Sequence, residues 1–231
     1  MSVLQINNLS KKYGDKSALS HVNLQIDQGG IIGLLGPNGS GKTTLIKIIA
    51  GLLTATDGEV LVCSHPIGVE SKALVSYLPD KSFLIENLTV KQMLDYTKDF
   101  FPDFRTERAL EMVKSLEIDE KSVIKTLSKG TKEKVSLIIA MCRDAKLYLL
   151  DEPIAGVDPA ARDYVIKTII NNYSPDSTVI ISTHLISDIE KVLSDVIFIH
   201  HGHIVLESSI DDVRSQYGKS VDELFREAFK C

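Results

Sequence analysis

Three short stretches carry residue types and spacings suited to polyphosphate chemistry. Gly36-Pro37-Asn38-Gly39-Ser40-Gly41-Lys42-Thr43 fits the pattern G-x-x-x-x-G-K-[ST], with the apolar run Gly30–Leu35 before it and the helical stretch Thr43–Ala50 after it. Glycines let the backbone curl so that successive N–H groups converge on anionic oxygens. A helix beginning near Gly41 adds its positive end to the same spot. Lys42 is placed to reach β- and γ-phosphates, the Thr43 hydroxyl to ligate Mg²⁺, and Thr44 follows in the same turn. Leu147-Tyr148-Leu149-Leu150-Asp151-Glu152-Pro153 puts two carboxylates at the C-terminal end of a second apolar run, the edge where open α/β sheets hold ligands. Asp151 suits Mg²⁺ held through its water shell, since that ion dehydrates reluctantly. Glu152, one residue on, suits the orientation or deprotonation of an attacking water. A third run, Val179–Ser182, ends in Thr183 and His184, and His184 is positioned to approach a γ-phosphate and its nucleophile.

Positioning these groups requires buried strands. The first thirty residues alternate in strand fashion (Val3–Ile6, then His21–Asp27) about a Gly14-Asp15 turn, which predicts an antiparallel sheet with one solvated face. Gly30–Leu35, Ala73–Leu78, Leu147–Leu150 and Thr178–Ser182 are continuous apolar runs, as expected of strands covered on both faces. Helix-like stretches at Pro159–Asn172 and Leu185–Leu193 follow the last two, so the pattern predicts a parallel α/β sheet. Between Thr89 and Arg143 apolar positions recur at helical spacing instead, predicting an inserted helical block. The chain closes with a hairpin over Val196–Glu207 and two short amphipathic helices. The cluster His200-His201-Gly202-His203 reads as that hairpin's turn, with alternate strand positions sending the imidazoles apart, rather than as a metal site.

Composition narrows the class. The 231 residues are 44% apolar and 25% charged, which excludes disorder and fibrous repeats. A net charge of −5 argues against a nucleic-acid partner needing a broad basic surface. Cys63, Cys142 and Cys231 are too far apart for a disulfide framework or a CxxC site, pointing to a reducing compartment. The first residues lack the apolar core of a signal peptide, and uninterrupted apolar runs such as Leu137–Cys142 are far shorter than a membrane span. The expectation is a soluble cytoplasmic protein whose membrane role, if any, runs through a partner.

With these motifs in place, essentially the whole chain resembles the nucleotide-binding subunit of the ATP-binding cassette (ABC) transporter family. That family carries a Leu-Ser-Gly-Gly-Gln signature at a helix start upstream of the Mg²⁺ aspartate. Here Leu127-Ser128-Lys129-Gly130-Thr131 stands there, with Asp151 following Ser128 by 23 positions. Lys129 replaces a glycine and Thr131 the glutamine. Ser128 and Gly130 are retained, and the resemblance implies that they contact the γ-phosphate of a nucleotide held by the opposite subunit. Read physically, Ser128 is also a helix N-cap. Tyr13 is similar to the aromatic that stacks on adenine. Asp158, in Ala155-Gly156-Val157-Asp158-Pro159, stands where the family has a loop communicating across the dimer, and equally reads as an N-cap before a proline. Asp80, in Tyr77-Leu78-Pro79-Asp80, takes the place of the usual glutamine that touches Mg²⁺ and water and links the site to the membrane subunit.

The resemblance implies a P-loop NTPase (RecA-like) core with an N-terminal antiparallel β subdomain and an inserted helical subdomain. The division reads as one domain over 1–231, with 81–145 as the helical part and 1–80 plus 146–231 as the rest. It also implies an Mg²⁺-dependent ATPase, with ATP and Mg²⁺ as ligands. Its partners would be transmembrane permease subunits and a second cassette, giving a homodimer or a heterodimer on the inner face of the cell membrane. The YLPD stretch and the modified signature resemble a bacterial export subgroup that includes antibiotic or peptide exporters. The alternatives are a soluble ABC ATPase acting in an assembly complex and a nucleotide-binding regulatory module that does not hydrolyse. Glu152 and His184 weigh against the second of these.

Overall fold

The computed structural model describes residues 2–155 and 157–229, with Ala160 and Ala161 described in backbone only. β1 (Ser2–Tyr13) and β2 (Lys16–Asp27) run antiparallel about a turn in which Gly14 takes φ 56°. β3 (Ile31–Leu35) leads through the glycine-rich loop into α1 (Lys42–Ile49). β4 (Asp57–Val62), the two-residue β5 (His65–Pro66), α2 (Val69–Ala73) and β6 (Val75–Leu78) follow. The middle is helical: α3 (Val90–Phe100), α4 (Thr106–Ser115), a 3-10 turn (Ile124–Thr126) and α5 (Lys129–Met141). Then come β7 (Leu147–Asp151), α6 (Pro159–Asn172), β8 (Thr178–Thr183) and α7 (Ile186–Ile189). A hairpin of β9 (Asp195–His200) and β10 (His203–Ser209) precedes α8 (Ile210–Tyr217) and α9 (Val221–Phe229).

Two sheets result. The antiparallel one has the order β2-β1-β4-β5, and the larger one β10-β9-β3-β8-β7-β6, parallel except for the edge strand β10. Because side chains alternate along a strand, β3 feeds two cores. Ile32 and Leu34 face the antiparallel sheet and α1, while Ile31 and Leu35 face α5, α6 and the C-terminal helices. A third apolar cluster, from Leu84 to Cys142, lies within the helical middle. Helix α5 belongs to two of them: Leu137, Ala140 and Met141 pack toward the sheet, and Val135, Ile138, Ile139 and Cys142 into the helical cluster. This explains why it reads as apolar on nearly all sides.

The structure departs from the sequence reading in three places. Ala73 ends α2 rather than beginning a strand, and β6 starts at Val75. The Leu185–Leu193 stretch is not one helix. After α7 it tightens into a 3-10 turn (Glu190–Val192) and Leu193 becomes extended, since the Ser194 N–H must reach the Ile31 carbonyl (2.8 Å) for β9 to join β3. His200 and His201 do not point apart: their ring centroids are 4.0 Å from one another. His201 lies outside the strand at φ 46°, where alternation no longer holds. Among the described residues no group of three or more His, Cys, Asp or Glu is placed to hold a metal. No helix there is long and apolar enough to cross a membrane.

Candidate functional site

The C-terminal ends of β3, β7 and β8 lie side by side, with Asp151 paired to Ser182 and Leu35 to Thr183. The loop after β3 is pressed against its surroundings: a Cβ added at Gly36 would sit 2.3 Å from the Ile199 carbonyl, so only glycine fits there. Helix α1 starts with Gly41 at φ 117° and has no side-chain cap, leaving its first N–H groups toward the loop. Asn38 and Gly39 are exposed at the loop tip, Pro37, Gly41, Thr43 and Thr44 are half-buried, and Gly36, Ser40 and Lys42 are buried. The Ser40 hydroxyl has no hydrogen-bond partner among the described residues.

Lys42 is only 6% exposed, and its ammonium donates to the Gly36 carbonyl (2.7 Å) and the Pro37 carbonyl (3.3 Å). Burial holds its pKa below the ordinary lysine value, while the nearby charges of Glu152 and Asp151 work the other way. The Glu152 carboxylate joins two elements. It lies 3.9 Å from the Lys42 ammonium and 3.1 and 3.2 Å from His184 Nδ1. Glu152 itself sits at φ 53°, a left-handed conformation held by its N–H, which donates to the Ser182 hydroxyl and the Ser182 carbonyl, both at 3.0 Å.

Asp151 is wholly buried. One carboxylate oxygen accepts from the Ser182 hydroxyl (2.6 Å) and the Thr43 hydroxyl (3.2 Å), and the other is buried with no partner among the described residues. Burial raises its pKa, the two hydroxyl donors oppose the rise, and the charges of Asp80 and Glu152 add to it. Ser182 is the contributor that the sequence reading left without a role. Its direct register with Asp151 across two parallel strands is the signal that finds it. Tyr77 lies near these carboxylates: its hydroxyl is buried with no partner among the described residues, and burial, then Asp151 and Asp80, push the phenol well above its usual range.

Lys42, Thr43, Asp151, Glu152 and His184 are thus brought together. Asp80 is exposed and lines a cavity of about 290 Å³ with Glu152, Ser136 and Lys129. Tyr13 ends β1, half exposed, with the Lys11 ammonium 5.3 Å over its ring. It pairs with Lys16, two residues from Ala18, whose carbonyl lies against Gly41. Ser128 and Gly130 flank Lys129 of that cavity's lining and are exposed at the start of α5. Ser128 caps α5 by accepting from the Thr131 N–H (3.1 Å), so its hydrogen bonds stay local. Asp158 immediately precedes α6; Gly156, in the same loop, lies outside the described residues.

Comparison with known proteins identifies the family. The family model described as ABC transporter matches residues 19–155. The ABC transporter ATP-binding protein YtrB of Bacillus subtilis is 30% identical over 223 residues, covering 94% of this chain and 75% of that protein. The SkfA peptide export ATP-binding protein SkfE of the same organism is 29% identical over 222 residues, covering 94% and 93%. A solved structure of the ATP-binding subunit of an ABC transporter superposes with a TM-score of 0.88 at 28% identity, covering 98% of this chain and 99% of that one. The chain belongs to the ABC transporter family, as an ATP-binding and ATP-hydrolysing subunit.

Proposed function

We propose that this subunit drives peptide export through separate membrane-spanning subunits at the inner face of the cell membrane, working as a pair of cassettes. The pair is two copies of this chain or this chain with a related one. The observation that carries the reading is the buried, half-satisfied Asp151 carboxylate beside the Thr43 hydroxyl, with Glu152 bridging Lys42 and His184. A buried carboxylate with one oxygen bonded to the Thr43 hydroxyl and the other without a partner among the described residues is a donor set that suits Mg²⁺; Thr43 and Asp151 would hold it and Asp80 would reach it from the adjoining cavity. Mg²⁺ bound there would neutralise charge on the β- and γ-phosphate oxygens.

The chain's own groups supply the rest. The amides of Gly36–Thr43 and the α1 N-terminus bind the phosphates. Lys42 exchanges the Gly36 and Pro37 carbonyls for phosphate oxygens. Glu152 orients the attacking water and takes its proton, and His184, against the same carboxylate, steadies the γ-phosphate. Tyr13 offers its open face to adenine. Ser128 and Gly130 of a second cassette complete the site, and Asp158 lies at that junction. Membrane subunits dock on the helical block of residues 81–125. An apolar groove of about 560 Å³ beside it, lined by Leu52, Tyr77, Phe83 and Phe101 among others, suits a short amphipathic segment of such a subunit. Peptide as cargo is supported by the likeness to SkfE.

Affinity purification of the tagged chain from detergent-solubilised membranes tests this reading. A multi-span membrane protein is expected in stoichiometric amount, and its addition should make ATPase activity respond to peptide. Recovery with soluble partners only would overturn it.

A further inference from the structure

We propose that Gly202, at the tip of the β9–β10 hairpin, is a positioning residue for the phosphate loop and helps set its affinity for ATP. The hairpin closes through a two-residue turn, His201 at φ 46° and Gly202 at φ 79°, both in the left-handed region that the tightest hairpin turns demand. Gly202 is buried and makes two backbone hydrogen bonds in opposite directions. Its N–H donates to the Ser40 carbonyl in the phosphate loop (2.8 Å), and its carbonyl accepts from the Ser20 N–H of β2 (2.9 Å). The turn therefore ties the loop of one sheet to a strand of the other.

A trans peptide sets its carbonyl and its N–H on opposite sides. With the Ser40 carbonyl drawn outward by Gly202, the Gly41 N–H is turned the other way, toward the hollow where phosphate oxygens bind. A nest of amides binds an anion only while each of its carbonyls is held away from it. Neighbouring contacts work to the same end: Gly36 abuts Ile199 and Gly41 abuts Ala18, Leu19 and Ile199. Room is tight. A Cβ at Gly202 would lie 2.7 Å from the Ala18 carbonyl oxygen and 2.9 Å from the Leu19 Cα, backbone atoms that do not yield. A side chain there displaces the turn and releases the Ser40 carbonyl.

The proposal rests on Gly36–Thr43 being the phosphate cradle, so the test measures ADP and ATP affinity for Gly202→Ala, Gly218→Ala and Lys42→Ala by calorimetry, well below each variant's melting temperature. Gly218 is the matched control, since it too has a left-handed backbone (φ 63°), but a Cβ there meets nothing within 4 Å. Gly202→Ala should weaken both nucleotides about tenfold, the effect of misdirecting one hydrogen bond to a charged ligand. KM for ATP should rise with kcat little changed, while Gly218→Ala binds as the parent does. Equal affinity for folded Gly202→Ala and the parent, with Lys42→Ala weakened, overturns the role of Gly202 alone. An unweakened Lys42→Ala overturns the cradle itself. Should Gly202→Ala not fold, amide hydrogen exchange on the parent decides: the Gly202 and Ser20 amides should exchange more slowly when ADP is bound, and unchanged rates refute the tie.

Discussion

As the proposed cation ligand, Asp151 has to be charged, yet it is wholly buried at the end of β7. Ser182 and Thr43 satisfy one oxygen, and the other has no partner among the described residues, so charge at this buried point costs free energy. Burial raises the folded-state pKa above that of the unfolded chain. The charged form therefore costs stability above the folded pKa, and this cost fades as pH falls toward the ordinary Asp value of about 4. Asp151→Asn should consequently raise the melting temperature of the nucleotide-free protein near neutral pH, by about 2–4 °C for each ~1 kcal/mol of penalty relieved. The gain should shrink in acid, and the extra stabilisation that Mg²⁺ gives with ATP should vanish. A lower melting temperature at neutral pH would contradict this account. Glu152 answers a different need: it is partly exposed and faces both Lys42 and His184. Glu152→Gln keeps the shape and loses the base, so phosphate release should fall about 10²–10⁴-fold while ATP binding persists. Hydrolysis at the parental rate would remove Glu152 from the chemistry.

Among the elements, the helical block is fastened to the sheet by arginines. Arg143, 4% exposed, meets the Asp103 carboxylate (2.8 Å), donates to the Ala73 carbonyl (2.8 Å) and lies 3.8 Å over the Phe101 ring. Arg105 donates to the carbonyls of Met141, Arg143 and Asn172. Arg143→Ala should lower stability by ~3 kcal/mol, the lesser end for breaking a buried pair because Asp103 can rehydrate, and Arg143→Lys should recover little, lacking the planar fork. Urea unfolding measures both, and an unchanged midpoint would show the fastening to be idle. This stitching was not legible in the sequence, because it joins residues 36 to 70 positions apart, mostly through carbonyls that no motif marks. The apolar runs of β3, β7 and β8, the glycine-rich loop and the helical spacing of the middle were legible, since burial on both faces and a 3.6-residue period leave their mark on composition. The break after α7 and the close, tilted His200–His201 pair were not. The first follows from where β9 must enter the sheet, and the second from a turn backbone that ignores strand alternation. Ser182 lay in between, quoted within its strand but given a role only once the register with Asp151 was known.

At the scale of the whole molecule, the groups proposed to face the nucleotide fall into two sets on different elements. Lys42, Asp151 and Glu152 line the strand ends, whereas Ser128 and Gly130 are exposed at the start of α5, with Ser128 bonded only locally. The proposed pairing of cassettes gives this division a use: under two-fold symmetry each chain's first set would meet the other chain's second set, so one contact would be made twice. Lys42→Ala should then remove a site's cradle and Gly130→Asp its opposite wall, where a carboxylate would confront the phosphates. Each variant alone should be inactive. Mixed in equal amounts and allowed to exchange, they form mixed pairs in which one site has lost both contributions and the other has kept both. About half the pairs are mixed and half their sites intact, so about a quarter of the parental ATPase activity should return. If instead each chain hydrolyses ATP with its own residues, the mixture contains no complete site and activity stays at the level of the separate variants. The mixing experiment thus separates a composite site from a self-contained one without any knowledge of the cargo.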